Sequence, residues 1–362
     1  MCFGGTVAAT ILFLPPAPAV GLVLHDDAEP TDRPVDEVVG RWSTNASCVV
    51  VCPSMIVTTR HQGGGVGTLV EIGGVAYQVV EVRDHDPADL RVARVSRADG
   101  QPPAMRKWAW VYSGSEDIKR PTVIGGYGKG RGETKYTDAG VPYAYLWSGS
   151  GNRTLRWGVN YVDLPVYELQ VGLLRSKGLR ADFDDVGEGG HLPYEAAPAL
   201  YDSGSGWFIY EDGAWRVIGL SAIVDHQGET WFRNATTGSP DPEYLYAVQV
   251  GYYSEWIMDA ITSWIVPGDT NGDCLVSGED YTIWSDNHKH AGVPALSDGG
   301  WALGNFNEDN IVDGCDYTIW AEAYHDQMLG QAIPEPATFG LLAAGALLLL
   351  LRRKARSRAA RD

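Results

Sequence analysis

Basic residues are scarce in this chain of 362 residues: 28 Lys and Arg stand against 46 Asp and Glu, a net charge of −18. Phosphate backbones are held by a basic face, so this balance excludes a nucleic-acid partner. It suits divalent cations and solubility instead. Cysteine is sparse as well, with five in all. Cys48 and Cys52 lie four apart in an extended-looking run. At about 3.3 Å per residue that is roughly 13 Å, beyond the reach of a disulfide, so two buried thiols are expected. Long apolar runs are confined to the two ends. The first, Thr6 to Leu24 with Ala17-Pro18-Ala19 inside it, reads as a signal peptide over residues 1–19. The second, Phe339 to Leu351, is followed by Arg352, Arg353, Lys354, Arg356 and Arg358. It is short for a bilayer span, yet its basic cluster fits a C-terminal membrane helix with a cytoplasmic end.

Between the ends the composition is that of a globular protein, 44% hydrophobic and 20% charged. The length allows two or three domains and a full core. From about Arg41 to Val250, short apolar runs are broken by Gly, Asp, Asn and Pro. They include Cys48–Val51, Met55–Thr59, Gly67–Ile72, Tyr77–Val82, Leu90–Val95, Trp108–Tyr112, Trp207–Tyr210 and Trp215–Val224. That spacing predicts an all-β sandwich or barrel rather than βαβ units. The first helical pattern runs from Tyr253 to Trp264, before Pro267.

A true repeat follows. Asp280-Tyr281-Thr282-Ile283-Trp284 recurs 36 residues later as Asp316-Tyr317-Thr318-Ile319-Trp320, each copy preceded by a polar loop. In the first loop Asp269, Asn271, Asp273, Ser277 and Asp280 occupy positions 1, 3, 5, 9 and 12, with the Leu275 carbonyl at position 7. The second loop places Asn305, Asn307, Asp309, Asp313 and Asp316 likewise, with the Ile311 carbonyl at position 7. This spacing wraps six or seven hard oxygens around one Ca²⁺ in each loop. Cys274 and Asn310 stand at position 6, where EF-hands carry Gly.

The duplicated loop–helix unit, residues 266–331, resembles a type I dockerin, a small α-helical module of paired F-hands that docks onto cohesins. That resemblance implies two calcium ions and a cohesin-like partner. Its pseudo-twofold symmetry would bring Cys274 and Cys315 within reach of a disulfide. Residues 332–362 resemble a PEP-CTERM sorting signal: Pro334-Glu335-Pro336, an apolar span, then an Arg cluster. This implies recognition by an exosortase-type membrane protease, and a place in the cell envelope or outside the cell.

Residues 20–265 resemble trypsin-like serine proteases at four places in order. Ser47 to His61 is similar to the strand–turn–strand ending in the catalytic histidine. Asp86-Pro87-Ala88-Asp89-Leu90 is similar to the segment carrying the triad acid. Tyr201-Asp202-Ser203-Gly204-Ser205-Gly206 is similar to the nucleophile turn. Trp215 to Ser221, with the helix from Tyr252, is similar to the closing strand and helix. The resemblance implies a chymotrypsin-like double β-barrel with a C-terminal helix, acting on a protein or peptide substrate. His61 would be the base, Asp89 its orienting carboxylate and Ser203 the nucleophile. The amides of Ser203 and Tyr201 would form the oxyanion hole, Tyr201 standing where the family has Gly. Ala197, six residues before the nucleophile, argues against a preference for basic side chains. No G-x-S-x-G occurs around Ser203 or Ser205, which excludes a lipase-type elbow. Two other readings stay open: a catalytically inactive trypsin fold, and a carbohydrate-associated surface protein acting through the dockerin-like module.

Overall fold

The computed structural model describes residues 22–330, apart from 27, 102, 104, 149–153, 295–298 and 308. The expected leader over 1–19, the Pro334-Glu335-Pro336 motif and the expected membrane helix lie outside the described residues. Among those described, no helix is long and apolar enough to cross a membrane. The chain forms two compact units that divide between Trp264 and Ile265.

The first unit is mainly β. Six strands close into a barrel: Val39–Trp42, Ala46–Cys52, Met55–Thr58, Arg91–Arg97, Val75–Asp84 and Leu69–Ile72, the last pairing back onto the first. The side-chain period of two decides which way each strand faces. In Leu69–Ile72, for example, Val70 and Ile72 are buried while Leu69 and Glu71 face water. Ala46–Cys52 is buried along its whole length, so it carries almost no polar residue. The barrel core gathers Trp42, Cys48, Val50, Ile56, Tyr77 and Val95. Full burial of each aliphatic side chain there contributes about 1.5–3 kcal/mol. Cys48 and Cys52 are buried thiols, as expected, and burial pushes both up strongly.

A second sheet of eight strands follows. Its main order is Arg156–Val162, Arg120–Gly126, Gly206–Glu211, Ala214–Val224, Tyr244–Gln249, Leu174–Asp182 and Leu164–Val171, with Trp110–Val111 beside Ala214–Val224. It curls into a half-barrel around Trp207, Phe183, Ile218 and Phe232. The expected double barrel is thus met by one closed barrel and one curled sheet, a shape compatible with the trypsin and chymotrypsin superfamily. A hairpin, Gly130–Tyr136 with Pro142–Ser148, leaves this sheet and pairs with Glu229–Trp231 as a separate three-stranded sheet. Helix Ser254–Thr262 closes the unit, burying Ile257, Ala260 and Ile261.

The second unit carries two helices, Gly278–Asn287 and Gly314–Gly330, each entered from one of the polar repeats. Ser277 caps the first: its hydroxyl accepts the Glu279 amide, and Asp280 accepts the Ser277 amide at 2.7 Å. Asp313 and Asp316 cap the second in the same way. The helices exchange their tryptophans. Trp284 Nε1 donates to the Asp313 carbonyl at 3.0 Å, and Trp320 Nε1 to the Ser277 carbonyl at 3.1 Å. The expected Cys274–Cys315 disulfide is not formed. Each loop packs against the middle of the opposite helix, and the two cysteines occupy unrelated places. Cys274 stands at the left-handed sixth loop position, whereas Cys315 lies in the first turn of a helix.

Candidate active site

Three separated segments of the first unit converge on one hydrogen-bonded line. His61 follows strand Met55–Thr58, Asp89 lies in the loop before Arg91–Arg97, and Ser203 sits in the turn before Gly206–Glu211. His61 Nδ1 is 2.6 Å from Asp89 Oδ2, and His61 Nε2 is 2.7 Å from Ser203 Oγ. An ionised carboxylate only accepts, so Nδ1 carries the proton and Nε2 is left to accept the Ser203 hydroxyl.

The carboxylate is fixed by more than the ring. Asp89 is 1% exposed, and its Oδ1 accepts the amides of Arg60 at 2.7 Å and His61 at 2.8 Å. Its own amide donates to Ser176 Oγ at 2.8 Å, on strand Leu174–Asp182 of the second sheet. Asp84, a neighbouring acid in the sequence, is spent elsewhere. It takes the Arg91 guanidinium at 2.6 and 2.9 Å, which holds its carboxyl below the usual range despite partial burial.

The serine turn is locked onto the first barrel. The Ser47 amide donates to the Ser203 carbonyl at 2.8 Å. Gly204 has a φ of +80°, and a Cβ there would collide with Thr58 Oγ1 and the Ser47 carbonyl, so only glycine fits. Asp202 lies beneath the turn, fully buried, with its carboxylate accepting the amides of Gly128 at 2.7 Å and Ala199 at 2.8 Å. Burial pushes it up to about 7 against the lowering pull of those amides. Ser205 is equally buried and its hydroxyl donates to Ser221 Oγ at 2.8 Å, facing away from His61.

The amides of Asp202, Gly204 and Ser205 donate to the carbonyls of Ala199, Ser221 and Asp202. Those of Tyr201 and Ser203 have no protein acceptor among the described residues. Tyr201 has a φ of +80°, the left-handed conformation that glycine adopts freely. Its Cβ therefore leaves the turn intact and strains it, at about 1–2 kcal/mol. Tyr201→Gly is expected to raise the denaturant midpoint by the equivalent of roughly 1 kcal/mol. A lower midpoint would mean that contacts of the ring outweigh the backbone strain.

A cavity of about 340 Å³ opens beside Ser203 and His61. Residues 198–203 form one wall, 221–224 the other, and Trp147 and Gln227 also line it. Sequence motifs pointed to none of Ser176, Gly128 or Trp147. Each sits on or beside a strand far from the motifs and reaches the site only through tertiary pairing.

Behind this region Glu243 is buried, with its Oε2 3.1 Å from His226 Nδ1, and burial pushes it up to about 8. A carboxyl raised in the folded state binds a proton that the unfolded chain releases near pH 4.3. The stability it contributes is full below that value and is lost as pH rises through about 8. The melting temperature of the first unit should therefore fall between pH 6 and pH 9. Glu243→Gln should flatten this decline, and an equally steep decline in that variant would refute the assignment.

In the second unit, Asp269, Asn271, Asp280, Asn305 and Asp316 are buried within the loops. Their oxygens turn inward. Asp269 accepts the amides of Gly272 and Cys274, both at 2.7 Å, and Asp280 Oδ1 accepts the Thr270 amide at 2.8 Å. Burial first, and then the charges of Asp280 and Asp273, push Asp269 up to about 7 against its amide bonds. Asn307, Asp309 and Asp273 each accept an amide two residues ahead. Leu275 and Ile311 at the seventh positions are exposed. Among the described residues none of these loop carboxylates pairs with Lys or Arg. Nor does any group of three or more His, Cys, Asp or Glu among the described residues converge on a metal-holding geometry.

No curated protein matches the chain. Residues 332–354 match the family described as the PEP-CTERM protein-sorting motif, which marks the chain as exported, processed by an exosortase-type system and anchored at the cell surface through its C-terminus.

Proposed function

We propose that the first unit is a serine endopeptidase, displayed at the cell surface and accompanied by a calcium-dependent docking module. The observation that carries the proposal is the unbroken line Asp89–His61–Ser203, ending beside a cavity and two amides without acceptors. In the mechanism, Nε2 of His61 takes the Ser203 proton as Oγ attacks a peptide carbonyl. Asp89 holds the ring in the tautomer this requires and stabilises the imidazolium. The Tyr201 and Ser203 amides face the developing oxyanion. His61 then returns the proton to the leaving amine, and water repeats the cycle on the acyl-enzyme.

In the second unit, Asp269, Asn271, Asp273, Ser277 and Asp280, with the Leu275 carbonyl, would hold one Ca²⁺. Asn305, Asn307, Asp309, Asp313 and Asp316, with the Ile311 carbonyl, would hold a second. What supports this is the set of loop carboxylates that, among the described residues, no Lys or Arg neutralises. Such a module would engage a cohesin-like partner. A fluorophosphonate probe tests the enzyme reading: the purified protein should be labelled on Ser203, and Ser203→Ala should not. A folded wild type that stays unlabelled would return the first unit to an inactive trypsin fold, leaving the second unit as the working part.

A further inference from the structure

The cavity beside Ser203 has a chemical character of its own. Carbon supplies most of its walls, from Ala199 and Leu200 on one side and Ala222, Ile223 and Val224 on the other. Among the described residues no Lys or Arg lines it. Asp202 is the one acidic lining residue among those described, and it is buried with both carboxylate oxygens committed to the amides of Gly128 and Ala199. A charged side chain entering here would lose its hydration and gain no counter-charge.

Trp147 comes from outside the two walls. It belongs to Pro142–Ser148 of the hairpin that leaves the second sheet and pairs with Glu229–Trp231. Its indole is pinned: Nε1 donates to Thr230 Oγ1 at 2.9 Å, and Thr230 is fully buried. Its amide donates to the Gly228 carbonyl at 2.9 Å, and the ring packs on the core of the second sheet. A side chain held at both ends is a rigid wall, whereas a loosely held one would swing aside for a larger guest.

We infer that this cavity takes an uncharged aliphatic side chain of a peptide substrate, and that Trp147 limits how large that side chain can be. The inference rests on the endopeptidase reading and names the substrate class of the same site. Trp147 acts as a specificity-determining residue; it takes no part in the proton transfers.

The test uses the intact protein and peptides that differ only at the residue entering the cavity: Leu, Phe, Lys or Glu. The Leu peptide should exceed the Lys and Glu peptides in kcat/KM by roughly 100-fold, and Trp147→Ala should raise the Phe-to-Leu ratio about 10-fold or more. Trp147→Phe should restore most of the original ratio, which a merely structural loss would not do. A preference for Lys or Glu, or a ratio unmoved in Trp147→Ala, overturns the inference. If the fluorophosphonate probe labels the protein while these preferences fail, only the pocket assignment falls. If labelling and hydrolysis are both absent, the endopeptidase reading falls, and the same peptides are titrated calorimetrically against Ser203→Ala. Tighter binding of the Leu peptide that Trp147→Ala abolishes then keeps the pocket assignment, and equal binding of all four removes it.

Discussion

Replacing Ser203 or His61 by alanine is expected to lower kcat for peptide hydrolysis by about 10⁶, with the fold unchanged by circular dichroism. The size of the effect follows from the way the line works as a unit. Without Nε2 the Ser203 hydroxyl loses its one acceptor among the described residues, and without Oγ there is no nucleophile. Asp89→Asn should cost about 10⁴, because an amide in that place favours the wrong imidazole tautomer. Ser205→Ala is the control: its hydroxyl is buried against Ser221, so most of the activity should remain. Progress curves on a peptide substrate, with active-site titration to count competent molecules, separate these outcomes. Equal losses in Ser203→Ala and Ser205→Ala would overturn the assignment of the nucleophile.

Calcium is expected to have the next largest effect, and on the second unit. Like charges on the loop carboxylates oppose one another, so binding of a neutralising cation would be coupled to folding. A site filled at 100 times its dissociation constant stabilises by about 2.7 kcal/mol, and two such sites by about twice that. In calorimetry of the intact protein, the transition of the second unit should rise by many degrees with millimolar Ca²⁺ and fall with a chelator. The capping bonds of Ser277 with Asp280, and of Asp313 with Asp316, give these residues a second role. If helix capping were the whole purpose of these residues, the transition would ignore calcium.

Much of the first barrel was legible in the sequence because its strands bury whole faces. Met55–Thr58 and Ala46–Cys52 are continuous apolar runs, and the expected run Trp215–Val224 falls inside strand Ala214–Val224. The stretch between residues 113 and 205 was not legible strand by strand. Gly130–Tyr136 and Leu164–Val171 lie largely open to water and show no apolar alternation. Other strands there carry glycine for close approach. A Cβ at Gly125 would collide with Trp157, and one at Gly126 with the Asp202 carboxylate. Glycine in such places hides a strand from any pattern of side chains. His61, Asp89 and Ser203 stood out because each is embedded in a local motif, whereas Ser176 and Trp147 act across the fold. The Cys274–Cys315 pairing was misjudged for a related reason. Symmetry between repeats relates equivalent positions, and these two cysteines are not equivalent.

The exchanged tryptophans give the repeat a meaning that its sequence does not carry. Trp284 closes the loop that leads into the other helix, and Trp320 returns the favour. Neither copy contains the indole that its own loop requires. A lineage that lost one copy would keep a loop with no closing donor and a tryptophan with nothing to close. The unit of inheritance is therefore the pair, and the duplication that created it is one that deletion cannot quietly undo.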